Sequence, residues 1–155
     1  MLSHIDENNQ PRMVDVGEKS PTQRSARARA VVALPDAVWD ALQDGDIQSK
    51  KGPVFQTAIV AGTMAAKKTS ELIPFCHPIG LDHCHITIEP NDRQELVIEC
   101  ETRVTHKTGV EMEALTGATV AALTVYDMCK ALSHDIAIKD VQLVEKRGGK
   151  SDYGV

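Results

Sequence analysis

Asp127 and Lys130 stand three residues apart in VAALTVYDMCKAL, an otherwise apolar stretch, and on a helix that spacing puts both side chains on one face. Two readings fit. The pair is either a solvated helical ion pair worth ~0.3 to 0.5 kcal/mol, or an acid and a base whose proton affinities are tuned by burial and by each other. Further cations sit beside glycine: Lys50 and Lys51 precede Gly52-Pro53, Lys146, Arg147 and Lys150 surround Gly148-Gly149, and Lys67-Lys68 form a third cluster. Glycine next to lysine suits a mobile phosphate clamp, although a solvated surface explains most lysines equally well.

Two prolines, Pro74 and Pro78, bracket Phe75, Cys76 and His77. Fixed proline dihedrals constrain this loop and present Cys76 and His77 at a helix end, either as a binding site or as a helix-terminating turn with a packed histidine. Lys107-Thr108-Gly109 leads into Val110-Glu111-Met112-Glu113, with glycine at a helix entrance and carboxylates in the first turn. The helix dipole favours those carboxylates without any function. Cys76, His77, His83, Cys84 and His85 resemble a metal-ligand grouping, but strand alternation sends His83 and His85 to one face and Cys84 to the other. Structural zinc sites use two well-spaced ligand pairs, so the expectation is no metal. A zinc-stabilised interaction protein is the alternative that these residues leave open.

Which elements position these groups follows from periodicity. Residues 24–34, RSARARAVVAL, alternate as a strand does. Asp36 is placed to cap a short helix over 37–43 that Gly45 would stop. Pro53 opens a helix through 73 in which Val54, Ala58, Ala61, Ala65 and Leu72 share a face, and Pro74 ends it. That small-residue face suits packing on a sheet or against a partner subunit. Strands over 83–89 and 95–105 flank the turn formers Pro90, Asn91 and Asp92. A long buried helix over 110–134 and a last strand over 136–146 complete the order β, two helices, β, β, α, β. This is a split βαβ, ferredoxin-like α+β plan: an antiparallel sheet with helices packed on one face, the other face being left open for oligomerisation.

At 155 residues the chain suits one core. We expect residues 1–12 to be a flexible tail and 13–155 a single domain with a mobile C-terminal end. A net charge of −5 argues against nucleic-acid binding, as do aromatics at 3%. No apolar run is long enough for a membrane span, and the polar start lacks the pattern of a secretory signal. A cytoplasmic location is therefore expected. Four cysteines without a CxxC pair are then free thiols.

Lys51-Gly52 followed by Val54-Phe55, AGTMAAKKTSELIPFCHPI, KTGVEMEALT and VAALTVYDMCKAL occur in that order. With these motifs the chain, from Met13-Val14-Asp15-Val16 to Gly148-Gly149-Lys150-Ser151, resembles the molybdenum cofactor biosynthesis protein C family. It departs from the pattern at Gly17, where serine or a similar residue is expected, and at His106, where glycine is common. The resemblance implies a ferredoxin-like fold and a homohexamer, a trimer of dimers with active sites at subunit interfaces. It also implies conversion of 3',8-cyclo-7,8-dihydro-GTP to cyclic pyranopterin monophosphate and pyrophosphate without a cofactor. Asp127 is then the acid-base residue, with Lys51 and Lys130 as proton carriers. Cys76, His77, Met112 and Glu113 hold the base-derived rings, with backbone from Phe75. Lys67, Lys68, Lys146, Arg147 and Lys150 are candidates for the triphosphate, assigned mainly from their charge.

Overall fold

The computed structural model describes residues 2–154. The elements are β1 (Thr22–Ala33), α1 (Asp36–Trp39), β2 (Leu42–Gln43), β3 (Asp46–Ser49), β4 (Gly52–Pro53), α2 (Val54–Ala66), α3 (Thr69–Leu72), β5 (His83–Pro90), β6 (Glu95–His106), α4 (Glu111–Cys129) and β7 (Ala137–Arg147). The main sheet runs β5-β6-β1-β7 and every neighbouring pair is antiparallel. With α2 linking β1 to β5 and α4 linking β6 to β7, this is the ferredoxin-like α+β arrangement.

One face of the sheet is small. Ala26, Ala28, Ala30 and Val32 of β1 are buried beside Leu96, Ile98, Cys100 and Val104 of β6. Alanines at the centre let α2 and α4 lie close to the sheet, and the two helices approach each other equally closely: a β-carbon on Gly62 would sit 2.6 Å from the Gly117 carbonyl oxygen. The small-residue face of α2 is therefore used inside the chain. It consists of Val54, Phe55, Ala58, Gly62 and Ala66, not the expected set with Ala61, Ala65 and Leu72. Leu72 is exposed. The reason is the helix end: α2 stops at Ala66, where the buried Thr69 hydroxyl donates to the Ala66 carbonyl (2.9 Å) and begins the separate turn α3.

The expected helix over 37–43 is a single turn, followed by a small sheet of β2, β3 and β4. Asp44 and Gly45, both at positive φ, join β2 to β3. An Asp-Gly pair is a hairpin signal before it is a helix stop. α4 ends at Cys129 instead of 134. The uncovered sheet face is charged, not apolar: Arg27 bridges Glu99 (2.8 Å) and Glu145 (3.5 Å), and Arg29 also reaches Glu99. The exposed apolar side chains lie elsewhere, among them Val60 and Met64 on α2 and Leu123 on α4. No described helix is long and apolar enough to cross a membrane.

Candidate active site

Three sequence-predicted residues meet at the C-terminal end of α4. Lys51 Nζ donates to Asp127 Oδ2 at 2.8 Å and Lys130 Nζ to Asp127 Oδ1 at 2.9 Å. Lys130 arrives by its i,i+3 spacing, which the sequence displays. Lys51 arrives by a built turn: its N–H donates to Ser49 Oγ (3.1 Å), Ser49 Oγ donates to the Gly52 carbonyl (3.0 Å), and Gly52 takes φ +110°, a conformation that favours glycine. Asp46 ties that turn to α2. Its Oδ1 accepts from Phe55 N–H at 2.7 Å and so satisfies a helix N-terminal donor for which Pro53 offers no capping side chain.

All three side chains are about half exposed. The hydrogen bond from Lys51, reinforced by that from Lys130, holds the Asp127 carboxyl down to about 2, and Asp127 in turn raises Lys130. At neutral pH the site is a carboxylate between two ammonium groups. It can donate protons and neutralise developing negative charge. Leu123, Thr124 and Tyr126 line the shallow surface beside it.

A second group surrounds a cleft of about 340 Å³ at the N-terminal end of α4. Phe75, Cys76 and His77 enter from the proline-bracketed loop, Met112 and Glu113 from the first turn of α4, and Lys146 from the end of β7. His77 Nε2 meets the Val14 carbonyl at 2.6 Å. A carbonyl only accepts, so that nitrogen carries the hydrogen. Lys107 Nζ donates to the Gly17 carbonyl (3.3 Å), and together the two contacts lay residues 14–17 along the cleft. Gly148, at φ +88°, permits the close approach of the chain end to Gln23, where any side chain would collide. Thr22 Oγ1 donates to the Gly148 carbonyl at 3.0 Å.

Charge divides the lining. Glu113 is 3% exposed, and burial pushes its carboxyl up to about 7, with Glu111 adding repulsion. Burial likewise raises the Cys76 thiol, with Glu113 and Glu111 contributing. Against these stand Lys19, Arg24, Lys146, Arg147 and Lys150. Buried Thr108 Oγ1 has no hydrogen-bond partner among the described residues and also lines the cleft. A lining of polar donors, a protonatable acid and several cations fits a polar, anionic ligand.

The two groups are not brought together within one chain. Asp127 lies fourteen positions after Glu113 on α4, roughly 21 Å along the helix axis. Lys67 and Lys68 line neither site; Lys67 instead lies near Cys84, whose charge it influences. His83 and His85 stand on the outer sheet face with ring centroids 6.3 Å apart, and among the described residues no three His, Cys, Asp or Glu side chains converge on a point. Sequence reasoning passed over Lys19, Arg24 and Val14. Arg24 reads as one polar member of a strand alternation, and Lys19 and Val14 belong to a segment without periodicity. Their place in the cleft depends on long-range contacts.

The chain is similar to known proteins over almost its whole length. Residues 13–149 match the MoaC family. A cyclic pyranopterin monophosphate synthase of Xanthomonas oryzae pv. oryzae is 55% identical over 99% of this chain and 93% of its own. The Xanthomonas axonopodis pv. citri protein of the same name is 54% identical with the same coverage. A molybdenum cofactor biosynthesis bifunctional protein of Synechocystis is 52% identical, over 98% of this chain and 45% of its own length. Matched by the family pattern from Met13 through Gly149, and by relatives at more than half identity, this chain belongs to the MoaC family.

Proposed function

We propose that this chain is a lyase of molybdenum cofactor biosynthesis that converts 3',8-cyclo-7,8-dihydro-GTP to cyclic pyranopterin monophosphate and releases pyrophosphate. The observation that carries the reading is Asp127 clamped between Lys51 and Lys130 in a chain whose family relatives bear the synthase name. Opening the dihydropurine-derived ring, closing the pyran and forming the cyclic phosphate all move protons. Lys51 and Lys130 supply protons and offset negative charge, and Asp127 receives the proton of the attacking hydroxyl.

A carboxylate held near 2 is a weak base. Its low proton affinity comes from the two lysines, so drawing either ammonium onto a substrate phosphate raises the affinity at the moment the base is needed. Phe75, Cys76, His77, Met112 and Glu113 hold the base-derived rings in this reading. Lys146, together with Arg147, Lys150, Lys19 and Arg24, faces the triphosphate. Lys67 and Lys68 reach that ligand only from another copy of the chain.

The roughly 21 Å between the two groups exceeds what a single small substrate bridges with its reacting atoms. We therefore place each complete site between subunits of a homohexamer, a trimer of dimers, in the cytoplasm. The exposed Val60, Met64 and Leu123 supply apolar surface for assembly.

Purified protein incubated with enzymatically prepared 3',8-cyclo-7,8-dihydro-GTP should form pterin and pyrophosphate. Asp127→Asn should bind the substrate and lose at least ~100-fold in turnover. Substrate bound without turnover by the unaltered chain would replace the enzyme reading with a ligand-binding one, and full turnover by Asp127→Asn would remove that residue from the chemistry.

A further inference from the structure

Cys84 on β5 and Cys100 on β6 take no part in either cluster described above. Their sulfurs are 3.9 Å apart on the helix-facing side of two adjacent strands. They are diagonal neighbours: Cys84 is opposite Thr102, and Cys100 is opposite Ile86. Cys84 is partly exposed and Cys100 is buried. We propose that these residues form an oxidisable dithiol, in which a hydroperoxide reacts at Cys84 and Cys100 resolves the product to a reversible disulfide.

The Cys84 thiolate attacks one peroxide oxygen, the O–O bond breaks, and protonation of the departing oxygen gives a sulfenic acid and, for hydrogen peroxide, water. Cys100 sulfur then attacks the Cys84 sulfur. The S–O bond breaks, the hydroxide leaves with the Cys100 proton as a second water, and an S–S bond remains. Two thiols lose two electrons and one peroxide gains them.

The environment divides the roles. Hydrogen bonding from Cys100 and Thr63, with the Lys67 ammonium nearby, lowers the Cys84 thiol to about 7 against the desolvation of its site. Cys100 is raised by Cys84 and by burial, Cys129 is raised to about 11 by burial, and Cys76 is also raised. Of the four thiols, Cys84 alone is lowered rather than raised, and thiolate character with access selects the site of oxidation.

Closing the gap to the ~2.05 Å of a disulfide requires movement, because diagonal partners are usually ~7 to 8 Å apart at Cα, wider than an unstrained bridge spans. β5 is a sheet edge, paired with a neighbouring strand on one side only, so the movement falls on it. A bridge strained in this way is easily reduced, as regulatory disulfides are. It would also draw the Cys100 sulfur from the notch at Gly117, where a β-carbon would lie only 2.6 Å from that sulfur. Gly117 is on α4, the helix that carries both Glu113 and Asp127.

The test titrates the reduced full-length protein with hydrogen peroxide at pH 7 and maps thiols by peptide mass spectrometry, with turnover measured alongside. The expected result is a Cys84–Cys100 peptide two hydrogens lighter than the reduced pair, a several-fold fall in turnover, and recovery of both with dithiothreitol. Cys100→Ser should accumulate dimedone-reactive sulfenic acid at Cys84, and Cys84→Ser should keep its turnover under the same dose. Bridge formation without any change in turnover would overturn the link to α4. Oxidation first at Cys76, or equal peroxide sensitivity of Cys84→Ser and the unaltered chain, would overturn the proposal whole; Cys84 is partly exposed, so its serine variant keeps the test available even where Cys100→Ser does not fold.

Discussion

The buried carboxyl of Glu113 makes the chain's stability depend on pH in a region where most carboxylates do not. Its folded value of about 7 lies above the ordinary 4.5 because burial disfavours the charge. A raised value means that the folded state holds the proton more tightly. The stability Glu113 contributes is therefore fully present below about pH 4.5 and is lost as pH rises through about 7. Thermal melts of the unaltered chain and Glu113→Gln, recorded from pH 4.5 to 8, should diverge, with the variant losing less stability as pH rises. Parallel curves would place the Glu113 carboxylate in a better solvated state than its burial indicates. Asp127 has the opposite sign. Its value is depressed to about 2 by Lys51 and Lys130, so its contribution is present above the ordinary 3.8 and disappears only as pH falls through about 2. Asp127→Asn should thus change turnover greatly and the melting temperature at pH 7 little, since exposed ion pairs contribute little to folding.

At the scale of elements, the contact between α2 and α4 is set by two glycines. Gly62→Ala pushes a methyl group toward the Gly117 carbonyl and Ile86, and the helices must part or tilt. Overpacking of this kind costs about 1 to 3 kcal/mol, which denaturant unfolding should register as a lower midpoint. The turn before α2 behaves differently. Gly52→Ala meets no atom within 4 Å, but its φ of +110° strains any side chain, so the turn relaxes and takes Lys51 with it. That variant should remain folded and lose turnover, approaching the level of a Lys51 substitution. Circular dichroism beside the turnover assay separates the two effects. Periodicity displayed α4 and its Asp127-Lys130 pair in advance, because i,i+3 spacing is local. It did not display Lys51 beside them, since that depends on β3, β4 and Asp46 packing together.

For the whole molecule, the distance between the ends of α4 carries the strongest consequence. If each site is completed by a neighbouring copy, Asp127→Asn and Glu113→Ala, each expected to lack turnover alone, damage different halves of it. Two inactive variants, dissociated, mixed and reassembled, should then regain turnover that neither has alone, because some sites receive both intact halves. Mixtures that stay inactive while forming mixed oligomers would confine each site to one chain. Light scattering on the unaltered protein checks the expected hexamer independently.

Local rules carried this chain a long way. Alternation over β1 and β6, the Pro-bracketed Phe75-Cys76-His77 loop and the carboxylates opening α4 are all properties of neighbouring residues; they were enough to establish the α+β order and to single out two of the segments that line the cleft, whose ligand-holding role only the family resemblance implied. Two matters were decided by tertiary structure alone. The open sheet face carries a ladder of ion pairs because Arg29 of β1 lies opposite Glu99 of β6, with Arg27 diagonally beside it; and Lys19 and Arg24 join the cleft while Lys67 and Lys68 do not. Each depends on groups distant in sequence meeting in space, and no local periodicity encodes such a meeting.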